Sequence, residues 1–352
     1  MQEVRFGFIG SGQIAKSSAK DISAHSQGKL SAVQDLSLER ANELADEFDI
    51  SNRYTEAADL FADPNVDAVY IAVPNKFHAP LAIQALEAGK HVLLEKPFAM
   101  SLEEGKQVAT AVEKSGKVFT VGMNQRFTED HQKVKFLVEE GVLGEIYHAK
   151  AFWYRRSGIP KLGTWFGNKA MAGGGALYDI GVHALDLCLY LLNNYKPVSV
   201  FGTTYTRFGN RGLGEGNWGK SDYNKDIVFD VDDFATALIK FEDGATVEFG
   251  ASWACHMEAG NDNGVHLYGT EAGSSTKGSK LFRKDPLRTD YDVVENVAAD
   301  LKYPHASRFH NFINAINGTE DLCCTIEQAL TIQKILDGIA ESSKTGNAVE
   351  IS

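Results

Sequence analysis

No cysteine pair in this chain has the spacing of a disulfide framework or a zinc ligand set. The four cysteines are Cys188, Cys255 and the adjacent Cys323–Cys324, without a C-x-x-C. That speaks against a disulfide-stapled secreted fold and a zinc ribbon, and points to reduced thiols in a cytoplasm. Basic charge is also short: 35 Lys and Arg stand against 47 Asp and Glu, a net charge of −12, where a nucleic-acid binder would show a basic footprint. No apolar run approaches the roughly 18 residues of a membrane span. Met1-Gln2-Glu3-Val4-Arg5 leads directly into a strand-like run, so no signal peptide and no membrane partner are expected. Internal repeats and low-complexity tracts are missing too.

What is present has a globular composition, 43% hydrophobic and 23% charged, over 352 residues. That is too long for one ordinary core and fits two domains. The first half alternates short apolar strands with amphipathic helices, which implies a parallel, doubly wound sheet. Strands are expected at 4–9, 29–34, 66–73, 91–94 and 118–121, with helices between them and a capping box at Ser101-Leu102-Glu103-Glu104. The second half reads as a mostly antiparallel open sheet, from strand-like runs at 146–154, 198–207, 234–241, 245–253 and 265–269. Asp243-Gly244 marks a hairpin. Residues 209–226 read as a long loop, and 308–316 and 326–342 as terminal helices. The expected division is a Rossmann domain over 1–123 and an α+β domain over 124–352.

The first strand ends in Gly10-Ser11-Gly12-Gln13-Ile14-Ala15, a G-x-G-x-x-A turn that opens a helix. Gly10 would make the tight turn, and Gly12 would let the backbone approach a pyrophosphate. Ala15 would allow close packing of helix on strand. Gln13 and Ile14 begin the helix whose free N–H groups would meet the phosphates. The second strand ends in Asp35, placed to bond the ribose 2′-hydroxyl or to cap the next helix. Leu36 and Ser37 offer no cation for a 2′-phosphate, so NAD is preferred; Arg40, one turn on, keeps NADP open. Pro74-Asn75, Glu95-Lys96 and Asn124-Gln125-Arg126 also fall at strand ends, where such sheets hold ligands. Lys96 there is open to a catalytic role, a salt bridge or a phosphate contact.

In the second half, Gly173-Gly174-Gly175 leads into an apolar helix carrying Asp179 and His183 four residues apart. On one helical face, an acid and an imidazole must be paired or used. Satisfaction of a core histidine by Asp186 is one reading. A metal site is another, but it lacks a clear third and fourth ligand.

These residues resemble the glucose–fructose oxidoreductase / inositol dehydrogenase family of sugar and cyclitol oxidoreductases. The resemblance rests on four motifs in order. They are Gly10-Ser11-Gly12-Gln13-Ile14-Ala15, Pro74-Asn75-x-x-His78, Glu95-Lys96-Pro97 and Gly174-Gly175-Ala176-Leu177-x-Asp179-x-Gly181-x-His183-x-x-Asp186. The match is clear to about residue 192 and looser beyond. It implies that Pro74, Asn75, His78, Glu95 and Lys96 join the cofactor-binding set. It also implies a catalytic Lys96, Asp179 and His183, and a homodimer or homotetramer. The expected reaction is oxidation of a secondary ring hydroxyl with hydride transfer to the nicotinamide. An NAD-recycling member of the family, acting as a glycosidase or internal oxidoreductase, is the alternative; a silent dinucleotide-binding regulator is a weaker one. Planar donors and aromatic faces suit a hydroxylated ring, which nominates Arg126, Tyr154, Arg156, Lys161 and Trp165, beside Asp179 and His183, as substrate contacts. The Arg155-Arg156-Ser157-Gly158-Ile159-Pro160 segment looks like that of members acting on pyranosides and anhydrosugars.

Overall fold

The computed structural model describes residues 2–218, 228–284, 291–294 and 296–351. In chain order the first elements are β1 (Val4–Ile9), α1 (Gln13–Ser23), β2 (Gly28–Gln34), α2 (Leu38–Glu47), β3 (Asn52–Tyr54) and α3 (Ala57–Ala62). Then come β4 (Ala68–Ile71), α4 (His78–Glu87), β5 (His91–Leu94), α5 (Leu102–Ser115), β6 (Phe119–Val121) and α6 (Glu129–Glu139). The middle of the chain supplies β7 (Ile146–Arg155), α7 (Lys169–Ala172), α8 (Val182–Leu192), β8 (Pro197–Tyr205), β9 (Phe234–Phe241) and β10 (Thr246–Ser252). Last are β11 (Asn261–Gly269), β12 (Ala272–Ser275), β13 (Lys280–Lys284), β14 (Tyr291–Val294), α9 (Arg308–Ile316), α10 (Ile326–Thr345) and β15 (Val349–Glu350).

Two compact units result. The first contains Met1–Met123 together with Ser307–Leu330; the second contains Asn124–Ala306 and Thr331–Ser352, so the division falls inside α10. The expectation that everything after residue 123 forms one domain is corrected here. Phe309, Phe312 and Ile313 of α9 are buried in the same core as Phe6, Phe8, Tyr70 and Leu93. Burying three large apolar side chains stabilises by several kcal/mol in total, at about 1.5–3 kcal/mol each, which is why this returning segment belongs to the first unit.

The first unit is a six-stranded parallel sheet in the order β3-β2-β1-β4-β5-β6. Its central strands β4 and β5 are largely apolar and buried, as strands covered on both faces require, while the edge strand β3 is polar. Half of the expected capping box forms: Ser101 Oγ accepts from the Glu104 amide at 3.3 Å, while Glu104 Oε2 accepts from the Met100 amide at 3.1 Å, one residue ahead of the cap.

The second unit is a nine-stranded sheet, β14-β13-β12-β11-β7-β10-β9-β8-β15. It is antiparallel except where β10 runs parallel to β7. Ala149 and Ala151 are fully buried on the face of β7 that meets α8. Gly244 takes a φ of +90° in the hairpin joining β9 to β10. Of the expected loop over 209–226, the structure describes a short turn at Gly209–Arg211 and a bridge from Glu215 to Ile159; positions 219–226 lie outside the described residues. One sequence reading also changes. The helical stretch Lys169–Leu192 is long and apolar enough, by length and composition, to cross a membrane, yet 89% of its apolar window is buried within the protein, as a core helix is.

Candidate active site

In the first unit, the glycine turn has the shape expected of it. Gly10 sits at φ +90°, and a Cβ there would come within 2.4 Å of the Ala72 carbonyl oxygen, so only glycine fits. A Cβ at Gly12 would meet nothing within 4 Å. Residues Gly12, Gln13 and Ile14 are all exposed, and α1 begins with no side-chain cap. An uncapped helix N-terminus behind an open glycine offers N–H groups and a positive dipole end to a pyrophosphate. Asp35 follows β2. Its Oδ2 accepts from the Ser11 amide (3.1 Å) and hydroxyl (2.9 Å), and its Oδ1 from the Ser37 amide and the Arg40 guanidinium (2.7 Å). Burial alone would raise the Asp35 pKa, but these donors together hold it below the usual carboxylate range. These residues fit an adenosine dinucleotide. Pro74 precedes the short turn Asn75–Phe77, and Asn75 is buried there.

Two residues expected to touch the cofactor are taken up by the protein instead. His78 is 1% exposed, with Nδ1 2.8 Å from the Pro97 carbonyl and Nε2 2.9 Å from the Val73 carbonyl. Burial holds its pKa below the ordinary range despite those two acceptors. It is a strut between the ends of β4 and β5. Glu95 is likewise buried. Its Oε1 accepts from the Tyr70 hydroxyl (2.6 Å) and forms an ion pair with Arg308, and its Oε2 accepts from the Lys96 amide (3.2 Å). Burial would push Glu95 up, but the Arg308 charge, the Tyr70 hydrogen bond and Lys96 pull it down to about 2. Arg308 also donates to the Gly122 carbonyl at 2.6 Å. It therefore clamps the carboxyl ends of β5 and β6 beside Lys96, which is half-buried. Arg308 is not legible in the sequence because it lies 213 positions from Glu95 and 186 from Gly122.

In the second unit, the stretch after Gly173 opens with a π-turn, Leu177–Gly181, before α8 begins. Such wide turns occur mostly as single insertions, often where function needs them. Asp232 holds the start of this helix: its carboxylate accepts from the amides of Gly175 (2.7 Å) and Leu177 (2.8 Å). The approach is so close that a Cβ on Gly175 would stand 1.8 Å from the Asp232 carbonyl oxygen. The glycine run thus serves backbone packing against the turn before β9. Burial raises the Asp232 pKa, against these amide donors.

Asp179 and His183 are presented from this helix start. Asp179 Oδ2 accepts from the indole Nε1 of Trp253 at 2.8 Å. The His183 ring, 9% exposed, lies 5.7 Å from the Trp153 ring. Asp186, weighed as the partner of His183, is given to Arg126 instead. The guanidinium meets its carboxylate at 2.6 Å, with both side chains essentially unexposed. Arg126 is therefore corrected from substrate contact to buried structural ion pair.

Strand parity corrects two more residues. On β7 the side chains alternate, so Trp153 and Arg155 share the face of Ala149 and Ala151, while Tyr154 faces the other way. Tyr154 stacks with Phe152 and Phe234, at 6.1 and 5.7 Å. Arg156 is exposed and donates to the Glu258 carbonyl at 3.2 Å. Neither faces His183. Lys161 reaches Glu215 at 3.8 Å, and Trp165 stacks on Phe166 at 3.9 Å; both are half-buried in the connection between β7 and α7. Trp153, Arg155 and Trp253 stand close to Asp179 or His183 without having been nominated by the sequence; the period-2 pattern of β7 groups the first two on one face but does not say which face is covered.

Family models place these features among known proteins. Residues 4–123 match the oxidoreductase family's NAD-binding Rossmann fold, and residues 131–274 match the GFO/IDH/MocA C-terminal domain. D-glucoside 3-dehydrogenase of Escherichia coli is 30% identical over 99% of this chain and 97% of its own length. Levoglucosan dehydrogenase of Pseudarthrobacter phenanthrenivorans is 30% identical over 83% of this chain and 77% of its own. Among solved structures, levoglucosan dehydrogenase with NADH and L-sorbose superposes with a TM-score of 0.87 at 25% identity, all of each chain being covered. The uncapped glycine turn, the strand-end lysine and the glycine-led helix with its acid and imidazole are thus the local features of a chain that belongs to the Gfo/Idh/MocA family of NAD-binding oxidoreductases.

Proposed function

We propose that the protein is an NAD-dependent dehydrogenase that oxidises a secondary ring hydroxyl of a sugar, glycoside or anhydrosugar, with a cyclitol as the related alternative. The observation that carries this reading is the pairing, at one helix start, of an indole-anchored carboxylate and a largely buried imidazole, Asp179 and His183. The relatives named for glucoside and levoglucosan oxidation support it.

In this reading NAD⁺, when bound at the glycine turn, supplies the hydride acceptor. His183 takes the hydroxyl proton on an imidazole nitrogen as general base. Lys96 stabilises the developing alkoxide with its ammonium charge. Asp179, fixed by Trp253, orients the hydroxyl and favours the protonated imidazole. Arg40 beside Asp35 leaves NADP a secondary cofactor. The four free cysteines fit a reducing cytoplasm.

A homo-oligomer is part of the same reading. Cross-strand partners share a face, and the sheet face away from α8 carries Phe201 (54% exposed), Leu238 (51%), Tyr268 (36%) and Val293 (56%). So many large apolar groups on one open face suit burial against a second copy.

The deciding measurement is reduced-cofactor absorbance with a panel of glycosides, anhydrosugars and inositols, given NAD⁺ or NADP⁺. Net NADH formation is expected. Glycoside cleavage without NADH accumulation would replace this reading with the NAD-recycling one. His183→Ala is expected to lose about 10²–10⁴-fold in kcat while keeping NADH binding, and normal turnover in that variant would remove His183 from the chemistry.

A further inference from the structure

We propose that Arg155 is the residue that grips the substrate ring, donating to two adjacent hydroxyl oxygens beside the carbon being oxidised. The inference rests on the dehydrogenase reading above and names the chemistry its substrate must offer.

The geometry begins with β7. Its alternation puts Arg155 on the α8 side, where its guanidinium lies 5.2 Å from the centroid of the Trp153 ring. That ring in turn packs 5.7 Å from His183. Asp179 is close enough for its charge to act on Arg155, opposing the burial that holds the arginine below its ordinary pKa. Arg155, Trp153, His183 and Asp179 are therefore one cluster, and Asp179 is tied into it by Trp253.

Two other deeply placed guanidiniums among the described residues are spoken for. Arg126 is held by Asp186 and Arg308 by Glu95. Among the described residues, the Arg155 guanidinium has neither a hydrogen-bond acceptor nor a salt-bridge partner. Its five N–H donors are therefore open to solvent at the half-buried end of β7, where a ligand's oxygens would take the place of water.

The side chain is also seated in advance. A Cβ on Gly158 would come within 2.5 Å of the Arg155 Cδ, so the glycine makes room for the aliphatic stem. The Arg155 carbonyl accepts from the Cys255 amide at 3.1 Å, which ties the end of β7 to the segment after β10. A guanidinium stacked on an indole keeps its fork of donors in one plane and loses little entropy on forming paired hydrogen bonds.

The ligand that fits is a neutral ring with adjacent hydroxyls. Two neighbouring oxygens match the paired N–H groups of the fork. Asp179 already supplies negative charge to the cluster, so an anionic substrate is not needed to neutralise Arg155.

The test uses the whole protein and Arg155→Ala, Arg155→Lys and Arg155→Gln variants, with circular dichroism as the check on folding. With a sugar that the unaltered protein oxidises, each variant should raise the sugar KM about 10- to 100-fold, as loss of hydrogen bonds from a charged donor does. The KM for NAD⁺ should stay unchanged. Single-deoxy analogues lacking a gripped hydroxyl should lose affinity for the unaltered protein but lose nothing further for Arg155→Ala. Unchanged sugar KM in folded variants, or deoxy penalties that persist in Arg155→Ala, would overturn the assignment. Tryptophan fluorescence, with sugar titrated into the NADH-bound protein, reads the same affinity without turnover. Sugar binding that depends on Arg155, with no NADH formed from any sugar, would keep the grip and refute the dehydrogenase reading. Sugar binding indifferent to Arg155 would refute the grip alone, and no binding of any sugar would refute both.

Discussion

The indole N–H of Trp253 donates to Oδ2 of Asp179 across 2.8 Å, joining the residue after β10 to the π-turn that precedes α8. Trp253 is itself fully buried, so this donor cannot swing to water. It fixes the orientation of the carboxylate at the helix start.

Trp253→Phe keeps an aromatic ring but removes that donor. A hydrogen bond to a charged acceptor contributes about 1.5–3 kcal/mol. Turnover is expected to fall about 10- to 100-fold, with little change in NADH affinity measured by cofactor fluorescence. Equal turnover in the variant would show that Asp179 needs no anchor.

Glu95 gives a pH signature. Its folded pKa of about 2 lies below the ordinary 4.5, so the stability it contributes is complete above pH 4.5. That contribution fades as pH falls through 2. The shift corresponds to about 3 kcal/mol. Chemical denaturation between pH 6 and 2.5 should show a loss that is smaller in Glu95→Gln, a variant already less stable at neutral pH. Parallel curves for the two proteins would contradict this role for the ion pair with Arg308.

The buried pair Arg126–Asp186 separates structural from substrate roles. Arg126→Met alone strands a buried carboxylate and should cost about 3–5 kcal/mol in urea unfolding. Arg126→Met combined with Asp186→Leu should recover most of it. The sugar KM of the folded double variant should be unaltered, whereas a substrate-gripping arginine would raise it.

Asp35 and Arg40 are paired just after β2, where the choice of nicotinamide dinucleotide is expected to be set. Asp35→Ser removes the carboxylate that repels a 2′-phosphate and releases the Arg40 guanidinium. The ratio of kcat/KM for NADP⁺ over NAD⁺ should rise at least about tenfold, in line with the ribose-binding role of such an acid. Arg40→Ala should lower that ratio.

Much of this arrangement was legible before the fold was known, for reasons that differ by residue. The glycine turn, Asp35 and the capping box at Ser101 are local devices, written in consecutive residues. Asp179 and His183 stand out because polar groups in an apolar helix need a reason. The misreadings came from two sources. The sequence does not separate Tyr154 and Arg156 from Trp153 and Arg155 because a strand's parity depends on which face is covered, and that is set by a helix dozens of residues away. Glu95, His78 and Arg126 looked like ligand contacts because their partners, Arg308, two backbone carbonyls and Asp186, are brought together only by folding.

The return of Ser307–Leu330 to the first sheet has a practical consequence for exchanging parts between relatives. A chimera joined once, after residue 123, would ask a foreign α9 to fill the gap around Phe6 and a foreign arginine to meet Glu95. Transplanting cofactor preference cleanly therefore takes three junctions: one after Met123, one before Ser307 and one within α10. Natural recombination at a single point in such a chain would meet the same obstacle, because the two segments of its nucleotide-binding unit fill one core.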